Sequence, residues 1–159
     1  MIGVSKDVHV VSGKQFQILS NADVHLLNSA DLIVDAGATL IIEDNVTISG
    51  NNSNQIIVNG NIQIGQNVTF NKHGSTGFFT GLLLNNSNMQ TNIDNVTFNE
   101  AYLTNYGAEL EIINSNFNDC RWVFSHNGDI TIDNCTFNET WLFLENMQND
   151  PDMLARIYN

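Results

Sequence analysis

The sequence predicts an all-β solenoid, in which successive coils stack around one shared core. Three observations carry that expectation. First, five segments nearly repeat one another: Asp44-Asn45-Val46-Thr47-Ile48, Gln66-Asn67-Val68-Thr69-Phe70, Asp94-Asn95-Val96-Thr97-Phe98, Ile113-Asn114-Ser115-Asn116-Phe117 and Asp133-Asn134-Cys135-Thr136-Phe137. Second, Asn45, Asn67, Asn95, Asn114 and Asn134 follow at steps of 22, 28, 19 and 20 residues. A period near 20 with strand-like content marks stacked coils, here of about 19–22 residues. Third, short runs alternate apolar and polar side chains, and no long 3.6-residue periodicity occurs before residue 150.

The elements follow in chain order. Val8-His9-Val10, Phe16-Gln17-Ile18, Val24-His25-Leu26, Leu32-Ile33-Val34 and Leu40-Ile41-Ile42 read as strands with one face buried. Polar or Gly-bearing turns, such as Ser12-Gly13-Lys14 and Asp35-Ala36-Gly37, separate them. In the five repeats, Thr47, Thr69, Thr97, Asn116 and Thr136 should point outward, because strand side chains alternate. Ile48, Phe70, Phe98, Phe117 and Phe137 should then form one internal stack. The leading Asn residues fit sharp corners, where Asn tolerates left-handed backbone geometry. Placed inward, their amides would bond one another up the stack, as in a steric zipper. Asn71, Asn99, Asn118 and Asn138 form a second column four residues later.

A further strand follows in the later coils. At constant spacing, Leu103, Trp122 and Leu142 align inward, and Tyr102, Arg121 and Trp141 align outward, as do Thr104, Val123 and Phe143. The 28-residue step carries an insertion near Lys72-His73-Gly74-Ser75-Thr76-Gly77, a loop of the kind that carries function on a scaffold. Residues 1–149 are expected to form the solenoid. Residues 150–159 break the pattern, and Asp150 followed by Pro151 reads as the start of a short helical cap. The alternative is the start of a further coil.

Composition narrows the function. The 159 residues include 26 Asn, and the formal charge is -12. No basic stripe is available for nucleic acid, an anionic bilayer would repel the chain, and no window approaches a membrane span. Cations, glycans or another protein domain remain as partners. Cys120 and Cys135 make neither a disulfide framework nor a zinc pattern and read as two buried hydrophobes in different columns. His9 and His25 fall in outward slots of the first coils and are candidates to be neighbours, but two His make a poor metal site. Met1 to Gly13 shows no signal peptide, and the abrupt start on a strand-like repeat suggests a piece of a larger protein.

With the repeats aligned, residues 8–146 resemble a right-handed parallel β-helix of the pectin-lyase-like superfamily. The Asn-Val-Thr-Phe-Asn coils and the run from Ala36 to Ile48 carry the resemblance. It implies an extracellular or cell-surface location and, across the superfamily, lyases, hydrolases, adhesins, autotransporter passengers or phage tail spikes. The hydrolase signatures are absent; His73-Gly74 and His126-Asn127-Gly128 echo one of them only in part. A lyase would need an Arg or Lys base beside clustered Asp, yet only Lys72 and Arg121 fall between residues 15 and 155. No catalytic residue is therefore assigned.

The candidate ligand-binding residues are Glu100, Asp119 and Glu139, an outward carboxylate row about 4.8 Å per coil, with Tyr102, Arg121 and Trp141 beside it. Rings stack on sugar faces and carboxylates accept from hydroxyls. Calcium would suit clustered carboxylates, and Arg121 could instead merely neutralise them. Val123 and Phe143, apolar and outward, call for a cover, supplied either by the tail residues Met153, Leu154 and Ile157 or by a partner subunit or domain. The expected function is a noncatalytic module presenting flat faces for adhesion or glycan and partner binding. A polysaccharide-active enzyme using Glu100, Asp119, Glu139 and Arg121, or a purely structural spacer, are the alternatives.

Overall fold

The computed structural model describes residues 1–74 and 77–145, together with the backbone of the strand Ala155–Ile157. It is a parallel β-solenoid of about six turns with three strand-bearing faces. The first face stacks Ile2–Val4, Asp23–Leu26, Thr47–Gly50, Thr69–Lys72 and Thr97–Asn99. The second stacks Val8–Val10, Leu32–Val34, Ile56–Val58, Phe79–Leu84 and Ala101–Tyr106. In the last two coils single long strands, Asn116–His126 and Thr136–Glu145, run across both faces and join them into one 12-stranded sheet. The third face is built from Gln15–Ile18, Thr39–Ile42 and Asn61–Ile64, followed by Gln90–Asp94, Glu109–Ile113, Ile130–Asp133 and Ala155–Ile157.

The alternation of the sequence sets what lies inside. Ile48, Phe70, Phe98, Phe117 and Phe137 are register partners, as expected. Their rings stack at 4.7, 4.9 and 5.0 Å from Phe70 to Phe137. Buried polar groups are satisfied: Asn105 donates to the Ala108 carbonyl and the Ser125 hydroxyl. Among the described residues no buried side-chain nitrogen or oxygen lacks a partner. Cys120 is buried and Cys135 half-buried, and neither is in a disulfide. Burial pushes both thiols above their ordinary range.

Several expectations are corrected. Steps between coils reach 24 residues near the start, against 19 and 20 later, so the early coils are longer than 19–22. The Asn column does occupy left-handed corners, with φ between 51° and 59°, but its side chains point outward. The amide ladder therefore runs along the exterior: Asn67 to Asn45 at 3.3 Å, Asn95 to Asn67 at 2.7 Å and Asn134 to Asn114 at 2.7 Å. It breaks once, where Asn114 donates to Asp94 instead. The second column is also bonded, Asn99 to Asn71 and Asn118 to Asn99. Among the described residues no C-terminal helix occurs; Ala155–Ile157 is a strand that continues the third face beside Ile130–Asp133, which agrees with the alternative of a further coil. Asp150, Pro151, Met153 and Leu154 lie outside the described residues. Among the described residues no helix is long and apolar enough to cross a membrane.

Candidate functional site

The corner between the first and second faces changes along the chain. Early coils cross it with a loop: Leu27 to Asp31, then Asn51 to Gln55, then the insertion that follows Lys72. Later coils cross it on one tight turn. Glu100, Asp119 and Glu139 are the turning residues, at φ 49°, 52° and 48°. Left-handed geometry costs a non-glycine residue roughly 1–2 kcal/mol, so three acids here are an unusual choice. The expected carboxylate row exists, one member per coil, because Asn99, Asn118 and Asn138 stay in register just before it.

The residues beside the row differ from the constant-spacing reading. Arg121 is an extra residue in its strand, at φ 60°, and the register shifts between Asn118 and Arg121. The bulge moves every following side chain by one place. Val123, expected outward, is buried at 1% exposure and pairs with Leu103 and Leu142. Trp122, expected inward, faces out and pairs with Trp141. The outward row is therefore Phe78, Tyr102, Trp122 and Trp141, with Arg121 displaced onto its flank. Phe78 stacks on Tyr102 at 5.4 Å, and Tyr102 on Trp122 at 4.7 Å. The Arg121 guanidinium lies 4.9 Å from the Trp122 ring centroid, a cation–π contact. Gly81 makes the neighbouring bulge possible: its φ is 77°, and a Cβ there would sit 2.0 Å from the Tyr102 carbonyl oxygen.

Together these groups line a shallow groove of about 970 Å³ bordered by Phe78, Glu100, Asp119, Arg121, Trp122, Glu139, Trp141 and Phe143. Trp141 is 70% exposed and Phe143 40%; their rings meet at 6.0 Å with a 59° tilt. Phe124 and Tyr106 continue the aromatic surface along the face. Sequence reasoning placed five groove residues together, Glu100, Asp119, Arg121, Glu139 and Trp141, and left out Phe78 and Trp122. Tyr102 borders the adjoining hollow with Phe124 and Tyr106.

The electrostatics also differ from expectation. The cation that neutralises Glu100 is Lys72, through a direct ion pair. Asp119 and Glu139 remain exposed. Among the described residues no three His, Cys, Asp or Glu side chains are placed together to hold a metal ion. His9 and His25 lie on different faces; His25 instead meets Asp23 at 3.0 Å and the edge of His73 at 5.0 Å. A concavity of about 460 Å³ on the third face, lined from Gln90 to Thr131, is polar and acidic and has no aromatic residue in its lining.

Comparison with protein families, curated proteins and solved structures finds no match for this chain.

Proposed function

We propose that the protein is a noncatalytic β-helix module that binds glycans through the aromatic and acidic groove of its second face. The observation that carries this reading is the combination of an open Trp141 with exposed carboxylates one coil apart. A pyranose presents polarised C–H groups on its flat face, which pack on the electron-rich face of an aromatic ring. Its hydroxyls donate to carboxylates. Phe78, Tyr102 and Trp122 stack on one another, so they offer edges and stiffen the floor. Trp141 supplies the free ring face. Extended presentation on a rod suits a secreted or cell-surface role, and the pectin-lyase-like kinship belongs to the same proposal.

Binding is favoured over cleavage because glycoside hydrolysis needs a carboxyl held protonated in a dry, apolar setting beside an ionised partner. Asp119 and Glu139 stand in water and Glu100 is held by Lys72. The deciding measurement is a glycan-array screen of the folded protein, with and without calcium, followed by titration of the best ligand. Trp141→Ala should weaken binding at least tenfold, while leaving the circular-dichroism spectrum unchanged. Binding that survives Trp141→Ala, or no glycan bound at all, would remove the proposal.

A further inference from the structure

Seven Asn-X-Ser/Thr triplets lie in the chain, headed by Asn45, Asn51, Asn67, Asn85, Asn95, Asn134 and Asn138. Such a triplet is the acceptor for N-linked glycans, which are bulky and belong on surface loops. Transfer needs an amide nitrogen with no other bond, a reachable hydroxyl two residues on, and backbone that an enzyme can grip. The fold grants these unequally.

The triplets at 45, 67, 95 and 134 are by-products of the repeat. Asn67, Asn95 and Asn134 commit their amide N–H groups to the exterior ladder. Asn45 is the foot of that ladder, and its triplet is locked in the same way as the others. Val46, Val68 and Val96 are fully buried, and Thr47, Thr69, Thr97 and Thr136 each open a strand. An enzyme could hold these triplets only by peeling a strand from its sheet and breaking ladder hydrogen bonds. Asn138 and Thr140 lie inside the strand Thr136–Glu145, where the Thr140 hydroxyl already bonds the Phe117 carbonyl and the Cys120 amide. Asn85 follows a strand, but its amide donates to Asn59 at 2.9 Å.

Asn51 differs on each count. It lies in the corner loop between Thr47–Gly50 and Ile56–Val58. Its Oδ1 accepts from the Ser53 amide at 2.8 Å, which makes an Asx turn. That bond takes the oxygen; among the described residues no bond takes Nδ2. Asn51 is half-buried, while Asn52 and Ser53 are exposed. The loop is anchored from beneath by the buried Asn54, whose Oδ1 accepts from the Asn51 amide at 3.1 Å and whose Nδ2 donates to the Ala30 carbonyl at 2.9 Å. A polymer attached at Asn51 therefore disturbs neither the ladder nor the anchor of its own turn.

We infer that Asn51 is the site at which the folded chain accepts an N-linked glycan from a polyprenyl-pyrophosphate-linked oligosaccharide. The Asn51 Nδ2 attacks C1 of the donor's first sugar. The C1–N bond forms as the C1–O bond to the pyrophosphate breaks, and the amide proton passes to a carboxylate of the transferase. The inference rests on the secreted or cell-surface reading, since such donors are met on the export route, and not on what the groove binds.

The test uses the folded full chain with a purified single-subunit oligosaccharyltransferase and its lipid-linked donor, read by intact mass and peptide mapping. A glycan should appear on Asn51, with occupancy several-fold above that of any other triplet. Asn51→Gln should remove it. Ser53→Ala should remove it too, while leaving Asn51 and its turn in place, and Ser53→Thr should raise it. Short peptides covering each triplet should lose this order, the Thr triplets accepting at least as well as Asn51. That reversal separates selection by the fold from selection by sequence. Glycan binding by the groove does not enter the readout, so the two proposals fail separately. A folded chain that takes no glycan, takes it elsewhere in equal measure, or keeps it in Ser53→Ala would overturn the inference, as would peptides that rank as the folded chain does.

Discussion

Phe98 occupies the middle of the ring stack, 4.7 Å from Phe70 and 4.9 Å from Phe117, and it is fully buried. Truncating it leaves a cavity that rings on both sides cannot close without breaking the register of two coils. Phe98→Ala should therefore cost about 3–5 kcal/mol. Phe137 is the same residue in the same row, but it is half-buried and, among the described residues, stacked on one side only. Phe137→Ala should cost less than half as much in a urea titration; equal losses would show that the stack is not one continuous core. The thiols give a pH dependence. Burial raises Cys120 and Cys135 above their ordinary value of 9.0, so the folded chain holds these protons where the unfolded chain releases them. Their contribution is intact below pH 9.0 and is lost as the pH rises beyond it. The urea midpoint should fall between pH ~8 and ~10, and the double variant Cys120→Ala with Cys135→Ala should fall less.

The corners are the elements that set the register, and they explain both what was legible and what was not. Asn at 45, 67, 95, 114 and 134 shows in the sequence because left-handed geometry selects it and because it recurs with the coils. Which way its side chain points did not show, since the amide ladder needs only the stacking distance, inside or out. Asn95 bridges the ladder in one direction, to Asn67 at 2.7 Å. Asn95→Gly keeps the backbone and loses that bond, at about 0.5–1.5 kcal/mol. Asn95→Ala adds the left-handed penalty of roughly 1–2 kcal/mol. Thermal denaturation should rank Asn95→Ala below Asn95→Gly; the reverse order would mean that the corner does not demand this geometry. The Arg121 bulge was illegible for a different reason. Trp122, Val123 and Phe124 are all apolar, so shifting the strand by one place leaves an equally plausible alternation, and only the three-dimensional pairing of Val123 with Leu103 decides it. The acidic row survived that error because it lies before the bulge. Phe78 was left out because it follows the insertion loop, and Trp122 was placed inward because the bulge that turns it out does not show in the spacing.

At the scale of the molecule, each coil touches only its neighbours, so stability is close to a sum of coil and interface terms. The fold class could be read from period alone, whereas the groove needed one-residue accuracy in two coils at once. Interior coils have a neighbour above and below. Their residues Ile48, Ile56, Phe70, Phe98, Leu103 and Phe117 are all fully buried. Among the described residues the end coils pair on one side only: the inward-row residues Ile2 and Phe16 are exposed at one end, and the inward Phe137, Leu142 and Leu144 are only partly buried at the other. Opening free energy should accordingly fall from the middle toward both ends, since an end coil unravels by breaking one interface and an inner coil only by breaking two. Native-state hydrogen exchange at dilution should find the slowest amides in Thr47–Gly50, Ile56–Val58, Thr69–Lys72 and Thr97–Asn99. The amides of Ile2–Val4 and Gln15–Ile18 should be the fastest among the strands. Uniform protection along the chain would instead require one all-or-none unit, and the picture of separable coils would have to be abandoned.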